Sequence, residues 1–283
     1  MDELCKEYPK IMTVKALCTY LRISRSGYYK WKNTTESKAE RLNKYIMRVL
    51  KDEFIISNQR AGYRTLTMKV RRDYGLKVNH KRVRRLMRKI GIASIIRRKR
   101  RIYTVSSEQE TAENILNRKF KADRPNQKWV TDVTYLSYGN GQKAYLSAVK
   151  DLYGGEIIAY EVSKKNDNVL VLNTIEKALR ANPGAKPILH SDRGYQYTSY
   201  QYSNVLLEYG IQKSMSRVGK CIDNAPMESF WSHYKDEAYN GKKFKLYEDL
   251  VTSIDNYVKY YNKQRYQWKL NSLTPFEYRN QAA

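Results

Sequence analysis

Three acidic residues, Asp132, Asp192 and Glu228, stand where carboxylates can act as a group. Asp132 is set in Trp129-Val130-Thr131-Asp132-Val133-Thr134-Tyr135-Leu136, a β-branched and aromatic run that reads as a strand. A carboxylate in such a run is desolvated unless a cation compensates it. Asp192 closes Pro187-Ile188-Leu189-His190-Ser191-Asp192 and runs into Arg193-Gly194, where a side chain can leave the edge of a sheet. Glu228 falls near the start of a helix. Singly, each acid reads as a carboxylate with a local basic or hydrogen-bonding partner. Together they form an oxygen-only donor set that suits Mg²⁺ or Mn²⁺ and not Zn²⁺. Cys5, Cys18 and Cys221 are too scattered for a disulfide framework or a zinc site. His190 and Asn224 lie beside the acids as orienting or packing residues.

The elements that must position these acids can be read from residue 126 onward. Three strands (Trp129–Leu136, Ala144–Lys150, Ile157–Val162) separated by Gly139-Asn140-Gly141 and Tyr153-Gly154-Gly155 form an antiparallel meander. A helix over Asn168–Ala181, the short strand ending at Asp192, a helix over Tyr200–Tyr209, a strand over Ile211–Met215 and a helix over Asn224–Ala238 complete the order βββαβαβα. That is the order of a ribonuclease-H-like α/β domain, a mixed five-stranded sheet with helices. In it the first and fourth strands are neighbours, and the last helix can bring Glu228 to the same end. Trp231 and the Tyr257, Tyr260, Tyr261 group read as core.

The remainder is all-α and basic. Residues 1–120 carry 31 Lys and Arg against 11 Asp and Glu, most of the net charge of +26. Such an excess points to a polyanion partner, above all double-stranded DNA. Residues 9–32 form a helix-turn-helix outline, with Thr13 and Ser24 as caps and Arg25, Tyr28 and Lys30 on the second helix as DNA contacts. Residues 40–96 form a second, similar unit. Its third helix, capped by Asn79, carries a core stripe of Val83, Leu86, Met87 and Ile90. Around the stripe lies an all-basic face that includes Arg82, Arg85 and Lys89, placed to meet phosphates. Residues 97–123, opening on Arg97-Arg98-Lys99-Arg100-Arg101, read as a basic linker, and residues 124–283 as the acid-bearing domain with a helical extension. The acidic N-terminus is no secretory signal, and no run of apolar residues approaches a membrane span. The expected location is the bacterial cytoplasm, in association with the nucleoid.

Between Asp192 and Glu228 lie 35 residues, the separation called D(35)E in integrases and transposases. The surrounding words, His190-Ser191-Asp192-Arg193-Gly194 and Asp223-Asn224-Ala225-Pro226-Met227-Glu228-Ser229-Phe230-Trp231, agree with it. So do Gly62-Tyr63-Arg64 upstream and Tyr260-Tyr261-Asn262 downstream. On these motifs the chain closely resembles the OrfB transposases of insertion-sequence family three, relatives of retroviral integrases, over nearly its whole length. The resemblance implies that Asp132, Asp192 and Glu228 hold two Mg²⁺ (or Mn²⁺) roughly 3.5–4 Å apart. Those ions would serve 3′-end cleavage of an insertion sequence and its strand transfer into target DNA. It implies that Lys235, seven residues after Glu228 and so about two helical turns on, contacts the terminal DNA. A homo-multimer is expected in the complex that pairs the ends. Family members often act fused to an upstream frame, so such a fusion partner is expected too, this chain then being the downstream half. The alternative is a non-catalytic DNA-binding regulator of a longer fused transposase.

Overall fold

The computed structural model describes residue 7, residues 13–95 and residues 112–281; the Arg97–Arg101 run lies outside them. In the N-terminal unit, α1 (Val14–Tyr20) and α2 (Arg25–Lys32) are capped as expected, Thr13 accepting from Ala16 N–H and Ser24 from Gly27 N–H. Arg25 and Lys30 are exposed on α2. Tyr28 departs from the expectation that it meets DNA: it is 6% exposed, because a two-helix unit this small needs a large side chain to build any core.

The second unit comprises α3 (Lys38–Ile56), α4 (Tyr63–Arg72) and α5 (His80–Lys89). Ser37 and Glu40 form a reciprocal capping box on α3, and Asn79 caps α5. Ile46, Leu50, Leu66, Val70, Val83 and Leu86 share one core. On the outer face of α5, Arg85 and Lys89 are exposed, while Arg82 is half-buried and donates to Asn43 Oδ1 at 3.0 Å.

The sheet is built from β1 (Lys128–Tyr138), β2 (Gln142–Asp151), β3 (Ile157–Ser163), β4 (Ile188–Ser191) and β5 (Gln212–Met215), in the spatial order β3-β2-β1-β4-β5. The first three pair antiparallel, whereas β4 and β5 run parallel to β1. This is the mixed five-stranded ribonuclease-H-like arrangement that the strand pattern predicts. Alternation along the strands feeds two cores. Trp129, Val149 and Leu189 pack with α6 (Asn168–Ala181) and α7 (Tyr200–Glu208). Val130, Leu136 and Leu146 pack with α8 (Ala225–Tyr234) and α9 (Tyr247–Lys263). A short α10 (Pro275–Asn280) follows.

Two segments differ from their expected form. Residues 112–123, read as linker, lie on the sheet domain. The Ile115 and Leu116 N–H groups donate to Ser214 Oγ at 3.0 and 3.1 Å, and Leu116 is fully buried. Its few apolar residues follow no period, so only their tertiary contacts reveal them. The helix expected over Asn224–Ala238 is three pieces: a 3₁₀ turn (Cys221–Asn224), α8 with Pro226 in its first turn, and a π-helical turn (Lys235–Tyr239). The wide turn sets Tyr239 Oη on both Ser137 N (2.7 Å) and Ser137 O (2.9 Å), covering the open edge of β1.

The second helical unit is fastened to the C-terminal helices. Arg72 grips Glu277 with two hydrogen bonds of 2.8 and 2.9 Å, and Arg60 donates to the carbonyls of Glu237 and Asn240 at the end of the π turn. Among the described residues, no helix is long and apolar enough to cross a membrane.

Candidate active site

Strand β1 pairs with β2 from Trp129 to Tyr138 but with β4 only from Lys128 to Val130. Beyond Val130 one edge of β1 is therefore open, and Asp132 sits at that opening. Val130 lies opposite His190, so continuing the parallel register by two residues sets Asp132 opposite Asp192, just past the end of β4.

Each carboxylate is held by uncharged donors. Asp132 Oδ1 accepts from Val133 N–H at 2.8 Å and Oδ2 from the Trp231 indole N–H at 2.9 Å. Asp192 Oδ1 accepts from Gly194 N–H at 2.9 Å. A Cβ at Gly194 would come within 3.1 Å of that same oxygen, so the turn admits glycine most easily. Neither acid pairs with a Lys, Arg or His among the described residues. Burial, then the Asp192 charge beside it, and more weakly Glu228, push Asp132 from the usual 3.8 up to about 8. The Trp231 and Val133 hydrogen bonds only partly offset this. Burial likewise pushes Asp192 up, against the Gly194 N–H.

The floor of the site is neutral. Tyr197 is buried with its hydroxyl 3.3 Å from Thr131 Oγ1, and burial among the acids pushes its phenol well above its ordinary value. His190 is fully buried between Ser214 Oγ (Nδ1, 2.9 Å) and Ser216 Oγ (Nε2, 3.1 Å). Burial lowers it to about 4, so it ties β4 to β5 as an uncharged ring and provides no cation for the acids. Asn224 donates to the Thr131 carbonyl at 3.0 Å, while its own Oδ1 is buried without a partner.

Helix α8 supplies the facing wall. Glu228, in its first turn, is exposed, and Lys235 at its end donates to Thr134 Oγ1 at 2.7 Å. The structure thus brings Asp132 and Asp192 together and sets Glu228 near them without closing a three-acid cluster. Among the described residues no three His, Cys, Asp or Glu side chains are grouped to hold one metal ion. Asp132 and Asp192 are half-buried, whereas Glu228 is exposed. The donors that are assembled, two carboxylates with no cation of their own and no free imidazole, fit an oxygen-seeking divalent ion.

Sequence reading missed two residues here. Trp231 was expected as core alone, yet its indole N–H orients Asp132. Asp223 was expected only as part of a motif, yet it anchors the loop before α8. It is fully buried and takes Arg217 through two hydrogen bonds of 2.9 Å, Arg118 at 2.7 Å and Asn114 at 2.9 Å. The one available signal was Arg217 and Asp223 bracketing a glycine turn.

Family models described as "Integrase core domain" match residues 122–221 and 228–282, and one described as "HTH-like domain" matches residues 41–100. The InsK protein of insertion sequence element IS150 from Escherichia coli (strain K12) is 44% identical over 78% of this chain and 78% of its own length. Transposase InsF for insertion sequence IS3A, from the same organism, is 33% identical over 95% of this chain and 94% of its own. The chain belongs to the transposases of insertion-sequence family three. In this transposase both integrase-core matches cover the acid-bearing sheet and helices, and the HTH-like match covers α3–α5. Among solved structures, the HTLV-2 integrase catalytic core domain in complex with magnesium (trimeric form) is 18% identical with a TM-score of 0.44, over 56% of this chain and 98% of that one. The strand order of the transposase, rather than this distant likeness, carries its fold.

Proposed function

We propose that this transposase cuts DNA at the 3′ ends of an insertion sequence and joins them to target DNA by phosphoryl transfer, with Asp132, Asp192 and Glu228 as its catalytic acids. The observation that carries the reading is the Asp132–Asp192 pair: two carboxylates at an open sheet edge with no protein cation to balance them. Asp132, Asp192 and an inward-turned Glu228 would hold two Mg²⁺ or Mn²⁺, which when bound supply the positive charge that such a transfer needs. Trp231 and Val133 fix the direction of the Asp132 carboxylate, and Gly194 that of Asp192. The neutral Tyr197 and His190 keep the floor free of competing charge. Lys235, at the start of the π turn that follows α8, positions a terminal phosphate.

The helical units of residues 9–32 and 40–96 serve as DNA-contacting modules, with Arg25 and Lys30 on one and Arg82, Arg85 and Lys89 on the other. A multimer of the chain would pair the two ends, and an upstream-frame fusion would add end recognition. The test is strand transfer with an insertion-sequence-end duplex and Mg²⁺ or Mn²⁺. Joined product is expected from the wild type and none from Asp192→Asn or Glu228→Gln. Full activity in either variant would sink the mechanism. Tight, salt-sensitive DNA binding with no metal-dependent cleavage would favour a regulator instead.

A further inference from the structure

Further along β1 from Asp132, and on the other face of the strand, is a ring that the packing of the two cores does not use. Lys235 links it to the site, reaching both Thr134 Oγ1 and this ring. Tyr135, three residues beyond Asp132 on β1, is 57% exposed, and among the described residues no other aromatic ring packs against it. Most large aromatics of this domain are buried in its two cores or paired with another ring. Two ammonium groups come to the Tyr135 ring from different elements. Lys143, diagonal to it across the β1–β2 hairpin, lies 5.5 Å from its centroid, and Lys235, from the end of α8, lies 5.6 Å away. Bringing two like charges to one solvent-facing ring adds repulsion, which the ring's electron-rich face only partly offsets. The arrangement gains sense once a polyanion with flat, stackable bases lies across it.

We infer that Tyr135 and Lys143 form a subsite for an unpaired nucleotide of the DNA strand bound at the acid pair, its base stacked on the Tyr135 ring and its phosphate met by Lys143. This rests on the DNA-cutting reading above. A base within a duplex already has both faces covered, so the ring selects a terminal or displaced base. A base taking the ring face displaces the exposed Lys143 ammonium, which is then free to reach the adjoining phosphate. Stacking tolerates any base, so the subsite senses strand state and not sequence.

The test uses the full chain in EDTA, so that no cleavage is involved. The probe is a duplex with a short single-stranded extension carrying 2-aminopurine, compared with the same duplex made blunt. Wild type is expected to quench the 2-aminopurine and to bind the extended duplex about tenfold tighter than the blunt one. Tyr135→Phe should keep both properties. Tyr135→Thr, which suits a strand, should lose both while binding blunt duplex as wild type does, and Lys143→Ala should lose part of the preference. Circular dichroism and Tm of each variant verify folding. Quenching and preference retained in Tyr135→Thr, or no preference in the wild type, would overturn the inference. Because binding is read without metal, a catalytically inert chain leaves this result standing. Strand transfer by a chain that shows no quenching removes the subsite alone.

Discussion

Asp132, half-buried, and Asp223, fully buried, are both held by hydrogen bonds in the sheet domain, and their surroundings are opposite. Asp223 is wrapped by Arg217, Arg118 and Asn114, and the Arg217 hydrogen bonds above all hold it well below the usual carboxylate range. Asp132 has a backbone N–H, an indole N–H and a second acid for company, and burial pushes it up to about 8. The first arrangement lowers the free energy of the folded chain by pairing a buried charge. The second raises it, and a fold keeps such a cost where the charge has work to do with something that arrives later. One acid secures the loop that leads into α8; the other, on the reading proposed above, is kept for a cation and a phosphate.

The sharpest way to break this contrast is to neutralise each acid in turn. Asp132→Asn should lower cleavage and strand transfer by at least about a thousandfold, since on the proposed reading it removes a metal ligand on which charge stabilisation of the transfer depends. Its stability should move the other way. Folding favours the protonated form of Asp132, so the stability this group contributes is full below pH 3.8 and is lost as pH rises through about 8. The variant stays neutral throughout, so its Tm should match the wild type near pH 4 and exceed it by pH 8. Thermal melts across that range check the sign, and a variant that melts earlier than wild type at pH 8 would refute it.

Asp223→Asn should do the reverse, lowering Tm by about 5 °C or more because Arg217 and Arg118 lose their shared counter-charge. The depressed carboxyl of Asp223 stabilises the fold above the usual carboxylate pKa, so wild type and variant should converge as the pH falls below that value. Equal melting at neutral pH would show that the anchor contributes nothing. A smaller effect is expected at Trp231→Phe, which keeps the ring in the core but removes the donor that lowers the Asp132 pKa. Less of Asp132 is then ionised at pH 7, so the rate there should fall about tenfold and recover in part at higher pH. An unshifted pH–rate profile would mean that the indole contact does not orient the acid. Smallest of all, Arg85→Ala or Lys89→Ala on α5 should each weaken DNA binding a few-fold for any sequence and lower the salt dependence of log K by about one unit. A sequence-dependent loss would instead mark a base contact.

How far these environments could be read in advance varied with the range of the interaction. Thr13, Ser24 and Asn79 announced helix starts because a cap is a contact over two or three residues. The β-branched run around Asp132 announced β1, and the order of elements placed β4 beside it, so the neighbourhood of Asp132 and Asp192 was legible. The indole on Asp132 comes from Trp231, far along the chain, and no local pattern separates a tryptophan that only packs from one that also donates. Leu116 and Phe120 dock on the core from a segment too short to show a period, which is why residues 112–123 read as linker. Tyr28 misled for a related reason: an aromatic beside Arg25 and Lys30 reads as a DNA contact until the scarcity of other core residues is weighed. Glu228 lay on the expected helix, in its first turn, and is exposed there.

The central claim, that Asp132 and Asp192 are held unpaired to receive a divalent cation, is tested most directly by titrating Mn²⁺ into the full chain near pH 7. Calorimetry in two buffers of different protonation enthalpy counts the protons that leave. The account predicts saturable binding with release of a proton from Asp132, and loss of that release in Asp132→Asn. Binding with no proton release, or with the same release in Asp132→Asn, would contradict it.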